Sequence, residues 1–230
     1  PNESLILVEK YHAEKNYFLF HSMYGRRVND ALSRAFGYLI GRSGERDLEL
    51  GINDNGFYIA GESAIDRAIE KAIAYLSHEN LEKVLSEAIE KTDVLARRFR
   101  HCAARSLMII KNYKGNTKTV GKQQLKSHFL LHAVKKITKE FPILREARRE
   151  VMQDLMDIEN AKLVLKWISE KKVKIAIVET KIPSPFAINL ILQGYSDLIK
   201  IEDRQDFLKR MHAEHIKHIN SNDEGGYDAT

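Results

Sequence analysis

The chain has 230 residues, 43% hydrophobic and 30% charged, a balance ordinary for a soluble globular protein with ample core. A single cysteine, Cys102, excludes an internal disulfide framework and a cysteine-rich zinc site, and no apolar run reaches the roughly 18–20 residues that cross a bilayer. The net charge of +5 is segregated: the 46 residues from Val94 to Lys139 hold no Asp or Glu but twelve Lys or Arg, so the rest of the chain carries −7. The lone cysteine fits a reducing compartment, and a cytoplasmic location is expected. No signal peptide is recognised at the start. With Pro1 rather than Met in first place, a fragment of a longer protein is one expectation.

In chain order, residues 4–11 and 16–21 read as two strands around a polar turn. Gly25 breaks the chain before a helix at 26–41, with Val28, Leu32, Ala35, Phe36 and Leu39 on one side and Arg26, Arg27, Asn29, Asp30 and Arg34 largely on the other. A second hairpin follows at 48–52 and 57–59, in which Asn55-Gly56 is expected to supply the positive φ angles of a tight turn. A calcium loop is the other reading of this Asn/Asp cluster, but no Glu stands at the required distance. Helices are expected at 64–76, 80–91, 93–110, 119–138, 143–155, 158–171, 185–199 and 203–219, with Asp157 as an N-cap. The β-branched run at 173–178 reads as a strand. Residues 182–185, Ile-Pro-Ser-Pro, form an extended connector, and 220–230 read as a disordered tail. The fold class is therefore α+β, mostly helical, with small antiparallel hairpins near the start and one later strand. One domain is expected over 1–219, with a soft subdivision near 91.

The carboxylate-free stretch is suited to an anionic partner, and a nucleic-acid backbone is the usual one. On a helical wheel, Arg97, Arg98, His101 and Arg105 fall within about 100°, while Leu95, Phe99, Cys102, Ala103, Ser106 and Ile110 take the opposite face. Arg100 lies off the stripe. Lys118, Lys122 and Lys126 recur every four residues on the next helix. In the polar loop between them, Tyr113 is suited to stack on an unpaired base with Lys111 and Lys114 on phosphates, or to pack on its own helix pair. Phe129 reads as core or interface rather than a base platform. His212, His215 and His218 read as a solvated helix face, because metal pairs favour a spacing of four. Asp154, Asp157 and Glu159 lie at a helix junction and read as caps and dipole partners, not as an acid/base pair. No phosphate-cradling loop, nucleophile elbow or dinucleotide fingerprint is present, so no catalytic residue, cofactor or metal is assigned.

Four strings carry more. Phe20-His-Ser-Met-Tyr-Gly-Arg-Arg-Val-Asn-Asp-Ala-Leu-Ser-Arg34, Gly51-Ile-Asn-Asp-Asn-Gly-Phe57, Arg98-Phe-Arg-His-Cys-Ala-Ala-Arg105 and Ile182-Pro-Ser-Pro-Phe-Ala187 resemble the C-terminal region of Lhr-type superfamily 2 helicases in the archaeal form, called the DEAD/H-associated domain. The resemblance runs from about residue 4 to 219, and Phe-His-Ser-x-x-Gly-Arg-Arg-Val-Asn is its most specific piece. It implies an accessory domain that helps form the channel for the tracking strand, in an ATP-dependent enzyme that unwinds DNA and DNA–RNA hybrids. The two motor domains and a winged helix would come earlier on the same polypeptide and hold ATP and Mg. The nucleic-acid-binding residues expected here are Arg26, Arg27, Arg97, Arg98, His101, Arg105, Lys111, Tyr113, Lys114, Lys118 and Lys122. The lineage is also related to a DNA glycosylase family with a repair role, but that family's Gln-x-Gln is not matched, since Gln123 and Gln124 are adjacent. A base-excision domain and a protein-interaction scaffold without nucleic-acid binding remain the alternatives.

Overall fold

Strands β1 (Leu5–His12) and β2 (Asn16–His21) pair antiparallel as the first hairpin, and α1 (Arg26–Arg42) follows. A second hairpin, β3 (Leu48–Asn53) and β4 (Gly56–Gly61), adds to β2. Then come α2 (Asp66–Tyr75), α3 (Leu81–Ile89), α4 (Asp93–Arg105), β5 (Asn112–Tyr113), β6 (Asn116–Thr117), α5 (Val120–Ile137), α6 (Pro142–Arg149), α7 (Ile158–Ser169), β7 (Lys174–Thr180) and α8 (Pro185–Gly194). The computed structural model describes residues 2–13, 15–44, 48–62, 65–90, 92–110, 112–113, 116–117, 119–138, 140–194, 208–209 and 211–217. The expected tail at 220–230 and parts of the expected helices 185–199 and 203–219 lie outside the described residues.

The architecture is α+β. The two hairpins and the late strand join one five-stranded mixed sheet in the order β3-β4-β2-β1-β7, in which β7 runs parallel to β1. Along the sequence the two hairpins and the late strand stand as separate pieces. Side chains alternate across the sheet, so each strand serves two faces. Phe18, Phe20, Phe57 and Ile59 pack with Val28, Leu32, Ala35 and Phe36 of α1 in the main core. Tyr17, Leu19, Tyr58 and Ala60 face the other way and meet Ala187, Leu190 and Ile191 of α8. Phe20 stacks on Phe57 with centroids 4.5 Å apart, and on Phe36 at 5.4 Å. The central strand β2 is thus covered on both faces, which explains its almost unbroken apolar run.

Three expectations change in detail. The hairpin at 48–61 forms, but neither Asn55 nor Gly56 takes a positive φ. Its turn is held instead by Asn53, whose Oδ1 accepts from the Asn55 backbone N–H at 2.9 Å. Gly56 is needed for space: a Cβ there would lie 2.2 Å from the Phe20 carbonyl oxygen, which is fixed in the sheet. Gly56→Ala is therefore expected to cost about 2 kcal/mol and lower the melting midpoint by roughly 4–8 °C. Thermal circular dichroism checks this, and an unchanged midpoint would show that the strands part without cost.

The expected helix 93–110 ends at Arg105. The chain reverses through Leu107 at φ 59, and the Ile109 N–H returns to the Ala103 carbonyl at 3.1 Å, closing the helix end. Ser106 and Ile110, expected on the packed face, are consequently exposed. The expected helix 143–155 is α-helical only to Arg149, and Glu150–Leu155 continues it as a π-helical turn. Asp157 caps α7 as expected, its carboxylate accepting from the Asn160 N–H at 3.1 Å. The loop 111–118 carries a short ladder, Asn112 with Thr117 and Tyr113 with Asn116.

Candidate nucleic-acid interface

Helix α4 is set by its N-cap and by its apolar stripe. The Thr92 hydroxyl accepts from the Leu95 N–H, and Leu95, Phe99, Cys102 and Ala103 are buried. That burial turns Arg97, His101 and Arg105 outward and leaves Arg98 half-buried. Arg98, His101 and Arg105 line one surface concavity of about 360 Å³, whereas Arg97, expected on the same stripe, lines a different cleft. The Cys102 thiol is pushed up by burial and then by the nearby Glu150 carboxylate, which disfavours the nucleophilic thiolate.

A larger cleft, of about 530 Å³, opens between α4 and α5. Arg97 and Arg100 from α4 and Gln124 and His128 from α5 line it, with one carboxylate, Asp93 in the first turn of α4. Arg100, off the stripe on the wheel, is brought into the cleft because α5 packs on that flank. Its spacing of three from Arg97 was the available signal. Nothing local in the sequence assigns Gln124 and His128 to this cleft, since the placement of α5 against α4 is not a local property.

Carboxylates from outside the acid-free segment engage several of its cations. Glu90 takes Lys135 at 3.1 Å and Arg148 at 2.6 Å. Its carboxyl is raised by burial, but hydrogen bonds from Arg148 and Lys135 outweigh that and hold it low. Glu150, buried at the start of the π turn, takes Arg105 by a hydrogen-bonded ion pair and Arg98 at 3.7 Å. Among the described residues, Arg97, Arg100, Lys122, Lys126 and Lys136 form no salt bridge. Lys111, Lys114 and Lys118 lie outside the described residues, and so does the side-chain placement of Tyr113.

The π turn gathers arginines from two parts of the chain. Arg27 donates to the Gln153 carbonyl at 2.5 Å and to the Met156 carbonyl at 3.3 Å, at the negative end of the turn. Arg98 and Arg105 reach Glu150 at its other end. Arg27, Arg98 and Arg105, all expected to contact nucleic acid, therefore converge on one segment, through contacts that hold the domain together. Arg26, next to Arg27, is exposed and has no salt bridge or hydrogen bond among the described residues.

The remaining candidates have local roles. Asp154 sits 3.9 Å from Arg149, and Glu159 lies 3.5 Å from Lys162. Phe129 is 71% exposed, which leaves the interface reading and removes the core one. His215 Nδ1 lies 2.8 Å from the Met211 carbonyl, and His218 is outside the described residues. Among the described residues, no cluster of three His, Cys, Asp or Glu could hold a metal, and no helix is long and apolar enough to cross a membrane.

The family described as DEAD/H associated matches residues 1–187. The ATP-dependent helicase Lhr-Core of Methanothermobacter thermautotrophicus is 48% identical over 221 residues, covering 95% of this chain and 25% of that protein. The ATP-dependent helicase Lhr-Core protein 2 of Thermococcus barophilus is 40% identical over 213 residues, covering 92% of this chain and 25% of that protein. The fold is similar to the structure of the Mycobacterium smegmatis helicase Lhr bound to ssDNA and AMP-PNP, with a TM-score of 0.71 and 28% identity over 83% of this chain and 24% of that one. The chain thus spans about a quarter of the length of these relatives.

Proposed function

The chain belongs to the DEAD/H-associated family, and from that premise we propose that it is the accessory domain of an Lhr-type ATP-dependent helicase, gripping single-stranded nucleic acid for a motor on the same polypeptide. The observation that carries the reading is the α4/α5 cleft, where Arg97 and Arg100 present guanidinium groups that no salt bridge engages among the described residues. Phosphate oxygens meet such forks bidentately. Lys122 and Lys126, exposed on α5 outside the cleft lining, add positive charge to the same helix. Arg98, His101 and Arg105 add a second row, anchored from behind by Glu150. ATP and Mg belong to the motor. A cytoplasmic location goes with this role, and the partner is single-stranded DNA or a DNA–RNA hybrid.

Fluorescence anisotropy of a labelled oligo-dT across a salt series tests the proposal. Log affinity is expected to fall against log salt with a slope of roughly −0.7 per phosphate contact, for about three to six contacts. Arg97→Ala with Arg100→Ala is expected to weaken binding about tenfold and to make the slope shallower by about 1.4, with the melting midpoint little changed. An affinity insensitive to salt, or to this pair of substitutions, would remove the cleft from the grip. Release of a damaged base from an oligonucleotide by the purified chain would favour the base-excision reading instead.

A further inference from the structure

Three of the four strings that carry the family resemblance meet at one cavity, far from the basic cleft in sequence. It has a volume of about 310 Å³ and lies between the sheet and α8. His21 and Met23 come from the end of β2, Asn53 and Asn55 from the β3–β4 turn, and Phe186 and Asn189 from α8. Phe186 is 75% exposed and Met23 60% exposed, so an aromatic face and a flexible thioether stand at the rim. The floor is Leu190, which is buried. The side-chain amides of Asn55 and Asn189 are exposed and make no hydrogen bond among the described residues.

The walls of this cavity are held rigidly, although its rim is open. Asn29 of α1 donates to the Ser22, Asn53 and Asp54 carbonyls at 2.9, 3.0 and 3.3 Å. The Ser22 N–H donates to the Asn55 carbonyl at 3.0 Å. His21 is fixed by buried Glu9, which also accepts from the Ser184 N–H and hydroxyl at the start of α8. Such support pre-organises a site before a ligand arrives.

We propose that this cavity is a subsite for an unpaired nucleobase, stacked on Phe186 and held at its edge by the Asn55 and Asn189 amides. The inference rests on the chain gripping single-stranded nucleic acid. An aromatic face accepts any base, and an amide offers both a donor and an acceptor, so the subsite tolerates sequence. Exposed Arg26, three residues after Met23, provides a cation for the adjoining phosphate. Among the described residues no carboxylate lines the cavity, and Glu9 is already engaged by its donors, which suits the subsite to holding a base.

The test compares an oligo-dT with an abasic oligomer of equal length. Phe186→Ala is expected to weaken oligo-dT binding about tenfold and to leave abasic binding and the salt slope unchanged, while Phe186→Tyr retains affinity. Asn189→Ala is expected to weaken oligo-dT about threefold in the same selective way. In parallel, NMR signals of the Asn55 and Asn189 side-chain amides are expected to shift on adding a deoxynucleoside monophosphate. Equal affinity of parent and Phe186→Ala for oligo-dT, with a normal salt slope, would overturn the subsite and spare the grip. That result would point to Phe186 docking another part of the protein. If the parent binds no oligomer the grip fails, and unshifted amide signals would then overturn the subsite as well.

Discussion

Glu9→Gln is expected to destabilise the domain by about 3 kcal/mol and to lower its melting midpoint by roughly 6–12 °C at neutral pH. Glu9 is buried on β1 and accepts from His21 Nε2 at 3.0 Å, Thr180 Oγ1 at 3.1 Å, the Ser184 N–H at 2.6 Å and Ser184 Oγ at 2.7 Å. One carboxylate thus joins β1, β2, β7 and the start of α8. A glutamine has a single acceptor oxygen and turns its NH₂ toward groups that also donate, so buried donors lose their partner. Burial alone would raise the Glu9 carboxyl, but the hydrogen bonds from His21, Ser184 and Thr180 outweigh it and hold the group below its ordinary value of 4.5. The ionised form is therefore bound more tightly in the folded state. Its contribution is whole above about pH 4.5 and is lost as pH falls through the lower folded value. Calorimetry of parent and variant from neutral pH downward should show the gap between their midpoints closing in acid. A gap that is constant with pH would mean that the ionised carboxylate is not what stabilises the junction.

Arg98→Ala combined with Arg105→Ala is expected to lower the midpoint on the order of 5–10 °C and to weaken strand binding per folded molecule about threefold. The first effect comes from Glu150, which stays buried with its cationic partners removed, and whose Oε2 has no hydrogen-bond partner even in the parent. Arg105 is 61% exposed, so solvent screens its share, and more of the loss falls on Arg98. The second effect is smaller than that of the Arg97 and Arg100 pair, because Glu150 already neutralises part of the charge a phosphate would meet. Glu150→Gln is the reciprocal control, and it should lower the midpoint while strengthening binding at low salt. Melting curves and anisotropy together decide the matter. A full loss of binding with an unchanged midpoint would assign the two arginines to the strand alone.

The local elements were largely legible because their causes are local. The apolar period of α1, the β-branched run of β7, the proline connector before α8 and the Asp157 cap each act within a few residues. Differences arise where a contact outside the apolar pattern decides the local geometry. The β3–β4 turn looked like a positive-φ turn from Asn55-Gly56, yet Gly56 is required by the Phe20 carbonyl one strand away. The end of α4 at Arg105 came from the return of Ile109 to Ala103, which the wheel of apolar positions could not register.

By itself the sequence determined the α+β class, the acid-free basic stretch and the strings that place the chain in its family, because composition and short motifs survive without coordinates. The tertiary structure decided which cations remain available to a strand. Glu150 stands 45 residues beyond Arg105 and Glu90 45 residues before Lys135, and only folding brings each pair together. It also merged two hairpins and a late strand into one sheet, and drew Met23, Asn55 and Phe186 around one cavity. The physical reason is range: backbone propensity and side-chain period act over a few residues, whereas charge pairing and packing depend on distance in space.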